Sequence, residues 1–293
     1  MKKIRLIYNK SAGQNKGGEI ISDVIGKLSE NGFEVTAFRA SKENSAEPFI
    51  AATPEDTYGI VVAGGDGTIN KVVNFIKKYN INVPLGIIPA GTSNDFALHL
   101  GVYGDIDKAI QRIIDGNVED VDVGKVNGIY FVNILAAGMF SGTSHKTDKR
   151  LKEMLGHASY FITAAKEPFE QKPFKVRIET EDGVLEETVV VIMIFNGSSV
   201  GRIDLFSDNS SIQDGLLDIV ILRKGKMSET LKILSEFGDG KFVANDNVTY
   251  IKEKKFKISL IEGSCNSTDT DGDEGPKLPF NVECVEKGIK MFM

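Results

Sequence analysis

The 293-residue sequence carries 35 Lys and Arg against 41 Asp and Glu, a formal net charge of −6, with 41% hydrophobic and 26% charged residues. This length accommodates two domains, and the acidic balance argues against nucleic acid as the main partner, because phosphate-backbone binding needs a basic face. Cys265 and Cys284 are too few and too separated for a disulfide scaffold or a zinc site, and His99, His145 and His157 show no metal-ligand spacing.

The N-terminal Met1-Lys2-Lys3-Ile4-Arg5 runs directly into a strand-like segment, without the apolar core and small-residue cleavage site of a signal peptide. The longest apolar stretches, such as Val189 to Phe195, are strand length, whereas a spanning helix needs about 20 residues. A cytoplasmic protein is the expectation. Residues 4–8 read as a strand, and 18–30 as a helix with Ile20, Ile21, Val24, Ile25 and Leu28 on one face. A strand over 33–38, a short helix over 45–52, strands over 60–63 and 85–88, and helices over 70–79 and 106–114 follow. Strands alternating with helices predict a mostly parallel sheet with ligands beyond the strand carboxyl ends.

After Val118 the texture changes. Residues 120–126 and 130–134 read as strands joined at Asn127-Gly128, a strong hairpin signal. Helices are expected over 151–166 and 228–237, and strands over 175–179, 187–195, 217–222 and 255–261, spacing that indicates an antiparallel sandwich. The closing 289–293 is strand-like and is a candidate to return to the first domain.

Two glycine-rich turns carry the chemistry. Gly64-Gly65-Asp66-Gly67-Thr68 follows one apolar strand, and Pro89-Ala90-Gly91-Thr92-Ser93-Asn94-Asp95-Phe96 follows the next. Glycines at a strand-to-helix turn let backbone N–H groups approach an anion, and the helix N-terminus adds a favourable dipole. Two such turns on adjacent strands suggest one polyphosphate held between them, hence a nucleotide. Asp66 is awkward there, because a carboxylate repels phosphate. A bridging metal, a carboxylate facing the acceptor, or a structural Asx-turn each accounts for it. For the second turn the plain reading is N-capping by Ser93 or Asn94. Asn9-Lys10-Ser11-Ala12-Gly13 suits a loop under phosphates but equally a simple connection, and it is not a P-loop. Asp271-Gly272-Asp273-Glu274-Gly275 is an acidic turn, open to catalysis, calcium binding or simple solvation.

The two turns, with Asn9 to Gly13 before them and Asp214-Gly215-Leu216-Leu217-Asp218 and Asp271-Gly272-Asp273 after them, resemble the diacylglycerol kinase catalytic domain shared by sphingosine and ceramide kinases. The bacterial soluble lipid kinases are the nearest branch, and the resemblance covers essentially the whole length. It implies an α/β nucleotide-binding domain like that of phosphofructokinases and NAD kinases (residues 1–122, with 286–293 returning to it) and a C-terminal antiparallel β-sandwich (123–285). The site would lie in the cleft between them.

It further implies ATP contacts at Asn9, Lys10, Ser11, Ala12, Gly13, Gly64, Gly65, Asp66, Gly67, Thr68, Ile69, Asn70 and Thr92, with a further ribose or phosphate contact near Ala40 or Ser41. Asp271, assisted by Asp273, would take the proton from the acceptor hydroxyl, and Mg²⁺ would bridge the phosphates. A second, structural Mg²⁺ would rest on Asp214 and the carbonyls of Ser211 and Leu216. Asp122, with Asn94 and Asp95, would form the polar network around the site.

The sequence departs from the family pattern at Lys10 (usually Pro), Asp273 (usually Glu), and Gln14 and Leu98, where the nearest diacylglycerol kinases carry Lys and Arg. The last two put the electrostatic network and the diacylglycerol substrate in question. A lipid acceptor implies transient, peripheral association with the inner face of a membrane. Lys252 to Lys257 is the densest basic run, and a solvated strand face is its preferred reading; residues 140–157 are the better docking segment. A homodimer is an allowed assembly. The competing readings are a kinase of the same fold acting on a soluble metabolite, in the manner of NAD kinases, and a nucleotide-binding regulator without turnover.

Overall fold

Four apolar runs, each followed by a helix, build a parallel sheet in the computed structural model: β1 (Lys2–Asn9), β2 (Phe33–Ala40), β3 (Thr57–Gly64) and β4 (Leu85–Pro89). The structure describes residues 1–9, 17–91, 94–138, 173–197, 199–200, 203–204, 211–226, 229–230, 232–233, 246–265 and 268–293. They divide into two units, Met1–Val121 with Lys287–Met293, and Asp122–Glu286.

In the first unit the strand order is β2-β1-β3-β4, all parallel. β3 and β4 are buried almost throughout, as expected of strands covered on both faces. The helices are α1 (Gly17–Glu30), α2 (Glu47–Ala51), α3 (Asp66–Lys78), α4 (Asp95–His99) and α5 (Ile106–Asp115). α5 shows local coding at its clearest. Asp105 caps it by accepting the Lys108 N–H at 2.9 Å, Ala109, Ile110 and Ile113 are buried, and Gly116 at φ 73° ends it. Because the four strands are parallel, their carboxyl ends share one edge, where Asn9 lies beside Ala40, Tyr8 beside Ala63, and Gly64 beside Pro89. The order reverses between β1 and β3, the point where such sheets hold ligands.

The second unit is antiparallel. Its strands are the end of β5 (Val118–Val126), β6 (Ile129–Phe131), β7 (Ile134–Gly138), β8 (Phe174–Glu179), β9 (Val184–Phe195), a small ribbon of β10 (Ser199–Val200) and β11 (Ile203–Asp204), β12 (Leu217–Arg223), β13 (Val248–Glu253), β14 (Lys255–Glu262), β15 (Thr268–Thr270), β16 (Asp273–Glu274), and the start of β17 (Phe280–Phe292). β9 organises it, pairing with β7, β8 and β12. Its alternation feeds two apolar clusters, Ile192 and Ile194 into one, Val191, Met193 and Phe195 into the other.

Three elements differ from the sequence expectation. The helix expected from Asn70 starts at Asp66, so the first glycine turn is itself the opening turn of α3. The strand expected over 130–134 is broken between Phe131 and Ile134. The basic run splits at Lys254, between β13 and β14. β13 and β15 have no counterpart in the sequence reading, and α4 appears there only as the helix start that Ser93 or Asn94 would cap. The helix expected over 151–166 lies outside the described residues, and of 228–237 only Glu229, Thr230, Lys232 and Ile233 are described, as helical.

The end of β17 returns to the first unit, with Met291 beside Leu85 in parallel register. The Phe292 ring stacks on Tyr58 at 5.5 Å and lies over Gly59, where an added Cβ would come within 2.7 Å of it. Phe292→Ala is expected to destabilise the protein by about 3–5 kcal/mol, the usual range for removing a buried aromatic ring. Urea unfolding measures this; an unchanged midpoint would mean that the last strand contributes nothing to the fold.

Candidate active site

At the carboxyl edge of the first sheet the two glycine turns touch. A Cβ built on Gly91 would lie 2.3 Å from Gly65 Cα and 2.9 Å from Gly65 N, both backbone atoms that cannot swing aside. Gly65 itself is extended, with φ −96° and ψ −179°, so no left-handed turn is involved, and the close approach of the two main chains requires glycine at Gly91. Gly64 is closed over by Thr68, whose Cβ would be 2.9 Å from a Gly64 methyl.

Asp66 binds the turns together. Its Oδ1 accepts the Phe96 N–H at 3.1 Å and its Oδ2 the Asp95 N–H at 3.3 Å, so it caps α4 from the neighbouring turn. Of the readings open for Asp66, this is the structural one, reached across turns and not within its own. Asn94, at φ 55°, makes no cap bond. Its carboxamide instead accepts from Gly91 N at 2.8 Å and donates to Gly91 O at 2.9 Å, closing the second turn. Asp95 is buried, as are Ile69 and Asn70 on α3. Asn70 is held from Asn74, whose amide donates to its side-chain and backbone oxygens at 3.1 and 3.0 Å. Ile69 points into the core, leaving only its main chain for ligand contact.

What this edge presents is the start of α3. Thr68 and Ile69 donate to Gly65 O at 2.9 and 3.1 Å, while Asp66 and Gly67 precede any helical acceptor. The positive end of the helix dipole lies at the same place, an arrangement that suits an anion. Asn9 ends β1 at this edge. Ser41, just beyond β2, uses its hydroxyl in its own turn, accepting from Glu43 N and Asn44 N and donating to Glu43 Oε2 at 3.0 Å. The Glu43 carboxyl is held below the usual carboxylate range by its own backbone N–H and then by that hydroxyl. Lys10, Ser11, Ala12, Gly13, Gln14 and Thr92 lie outside the described residues; Leu98 sits on α4.

In the second unit, Asp271 and Gly272 join β15 to β16, with Thr270 opposite Asp273. Both turn residues have positive φ, 51° and 86°, the two-residue geometry that Asp-Gly favours. The Asp271 carboxylate is buried and meets three backbone donors: Val132 N at 2.6 Å on Oδ2, and Asn133 N and Ile134 N at 2.9 and 2.8 Å on Oδ1. These bonds interrupt the strand expected over 130–134, because its amides turn toward the carboxylate. Three N–H donors in rigid peptide planes give the carboxylate a fixed direction. Asp273 stands half-buried on β16.

Asp122, on β5, meets the loop that holds Ser211, Asp214 and Leu216. Buried Asp122 accepts Gly215 N at 2.7 Å and donates its N–H to Ile212 O at 2.7 Å. Asp214 accepts Leu216 N at 3.0 Å and Ser211 N at 3.3 Å, and pairs with the Lys252 ammonium at 2.8 Å. A hard cation takes carboxylate and carbonyl oxygens, and this loop offers both kinds, but Lys252 already compensates the Asp214 charge. Among the described residues no group of three or more His, Cys, Asp or Glu is placed to hold a metal. Cys284 nearby is pushed up to about 12, by burial first and then by Asp122, Asp214 and Glu286, which leaves it an unreactive thiol.

Residues 3–126 match the family model of the diacylglycerol kinase catalytic domain, and residues 133–293 that of the YegS C-terminal NAD kinase beta sandwich-like domain. A diacylglycerol kinase of Staphylococcus saprophyticus is 32% identical over 292 residues, covering 99% of this chain and 95% of that one. One from Bacillus subtilis (strain 168) is 30% identical over 303 residues, covering 100% and 97%. A crystal structure of a diacylglycerol kinase from Bacillus anthracis is similar at a TM-score of 0.79 and 28% identity, covering 99% of this chain and 96% of that one.

Gly91→Ala should cost about 1–3 kcal/mol, because the added methyl meets backbone. Asp66→Ala should cost about 1 kcal/mol through the lost cap. Chemical denaturation reads both; a Gly91→Ala chain as stable as wild type would show that the turns do not press on each other.

Proposed function

The chain belongs to the diacylglycerol kinase family and is a lipid kinase; from that premise we propose that it transfers the γ-phosphate of Mg²⁺-ATP to the free hydroxyl of diacylglycerol, yielding phosphatidic acid and ADP. The observation that carries this reading is the opening of α3 at the parallel-sheet edge, with Gly65 pressed against Gly91. A triphosphate would lie along Asn9 to Gly13, Gly64 to Asn70 and Thr92, with Ser41 on the β2 side. Asp66 is compatible with that anion because two N–H donors already engage its carboxylate.

In the reaction the acceptor oxygen attacks the γ-phosphorus and the bond to the β–γ bridging oxygen breaks. ADP leaves, and the hydroxyl proton passes to Asp271. Phosphoryl transfer runs through a loose transition state in most analyses, so the hydroxyl proton is lost late and a weakly basic, well-aimed carboxylate serves. Asp273 adds a second carboxylate across the β15–β16 ladder. Transfer of the acceptor requires a transient visit to a membrane surface. Among the described residues no helix is long and apolar enough to cross one. Lys252, Lys254 and Lys257 of the basic run are paired with Asp214, Glu286 and Glu179, which favours its reading as a solvated face. Residues 140–157 lie outside the described residues.

The test is label transfer from ATP with Mg²⁺ in mixed micelles containing diacylglycerol, phosphatidylglycerol, ceramide or no lipid. Phosphatidic acid should form with diacylglycerol alone, and Asp271→Asn should lower kcat by about 10²–10⁴-fold. ATP turnover without a lipid product would move the acceptor to a soluble metabolite, and bound but intact ATP would favour a regulator.

A structural Mg²⁺ on Ser211, Asp214 and Leu216 would compete with Lys252 for the Asp214 carboxylate. Lys252→Met is therefore expected to enlarge the rise in Tm that Mg²⁺ produces. An identical Mg²⁺ response in both chains would remove the ion from this loop.

A further inference from the structure

Asn196, immediately after β9, is 1% exposed and takes no part in the functional assignments above. Its side-chain Nδ2 donates to Val132 O at 3.0 Å and to Asp122 O at 2.9 Å, and its backbone N–H donates to Asn133 O at 2.9 Å. Two of those acceptors, Val132 O and Asn133 O, share peptide planes with donors that meet Asp271. The Val132 carbonyl is in one rigid plane with the Asn133 N–H, and the Asn133 carbonyl is in one plane with the Ile134 N–H. Pinning each carbonyl from one side therefore aims the corresponding N–H from the other, and both N–H groups converge on Asp271 Oδ1 at 2.9 and 2.8 Å.

The side chain holds this role at a disadvantage. Asn196 Oδ1 is buried without a hydrogen-bond partner among the described residues, a state that buried polar atoms rarely occupy. Turning the carboxamide over would set its oxygen against two carbonyl oxygens, so the two acceptors fix its orientation. A leucine of similar volume would avoid the unsatisfied oxygen and lose only the two donors. The donors are what distinguish asparagine here.

We propose that Asn196 is a positioning residue for Asp271: its carboxamide and backbone N–H fix the Val132–Ile134 turn, whose amides set the direction of the carboxylate that receives the acceptor proton. The catalytic half of this inference rests on the reading of Asp271 as proton acceptor; the structural half does not. Through Asp122 O the same side chain ties that turn to the segment from which Asp122 reaches the Asp214 loop.

The experiment uses the full chain and two readouts, the amide resonances of Asn133 and Ile134, and kcat and KM for Mg²⁺-ATP with diacylglycerol micelles. Asn196→Leu, Asn196→Ser and Asp271→Asn are compared with wild type. In wild type the two amide protons should resonate downfield, as donors to a charged acceptor, and should move upfield in Asp271→Asn and in Asn196→Leu alike. Asn196→Leu should lower kcat by about 10–100-fold with KM for Mg²⁺-ATP unchanged, the signature of a misplaced reacting group. Asn196→Ser, which retains one donor, should fall between, and it keeps the comparison readable if the leucine chain does not fold. Unmoved Asn133 and Ile134 resonances in the Asn196 variants, or a kcat that falls only with the folded fraction, would overturn the proposal. If Asp271→Asn keeps wild-type turnover, the proton-acceptor reading fails, and the amide resonances still decide whether Asn196 holds the turn.

Discussion

The contact of Gly65 with Gly91 is the constraint on which the first unit's site depends. The two strand-to-helix turns meet as they do only if Gly91 carries no Cβ, since a methyl there would come within 2.3 Å of the Gly65 Cα, whereas one on Gly65 would be tight at 3.2 Å. Once they meet, Asp66 reaches α4, α4 obtains the cap that Asn94 does not give it, and Asn94 is released to close its own turn on Gly91. Strand register, helix start and loop shape are thus one arrangement.

Both units hold carboxylates by main-chain N–H groups. Among the described residues Asp66 accepts from Asp95 and Phe96, Asp271 from Val132, Asn133 and Ile134, Asp214 from Ser211 and Leu216, and Asp122 from Gly215. An ionised acid is an ordinary liability when buried. Charge-assisted bonds from backbone donors stabilise it and, because the donors sit in rigid peptide planes, give it a direction as well. In a phosphotransferase that direction has chemical content, for a proton acceptor must face one oxygen and a phosphate loop must not present a bare negative charge.

Much of this was legible in the sequence. The apolar runs ending at Ala63 and Ile88 mark buried parallel strands, and the glycines beyond them mark close approach. The α5 boundaries follow from Asp105 and Gly116. The remainder depends on partners distant in the chain. A helix start after the second turn is legible in Ser93 and Asn94, but its cap is not, because it comes from Asp66 in the preceding turn. The break at Val132 and Asn133 runs against a local pattern that favours a continuous strand, and its cause is the carboxylate of Asp271. β15, Thr268–Thr270, has no apolar alternation to betray it and exists because β7 supplies a ladder. Asn196 reads as an ordinary residue at a strand end, since its role lies in two carbonyls that no spacing rule connects to it.

The return of the chain to its first unit has a consequence for biosynthesis. Lys287–Met293 belong with Met1–Val121, whereas Asp122–Glu286 form one uninterrupted stretch. On the ribosome, the intervening unit is fully translated before Met291 and Phe292 exist. The sheet of the first unit therefore waits, with the place beside Leu85 unfilled, until residues 287–293 have been translated. Nonsense or frameshift lesions within residues 287–293 would then strike a unit whose other strands were synthesised long before.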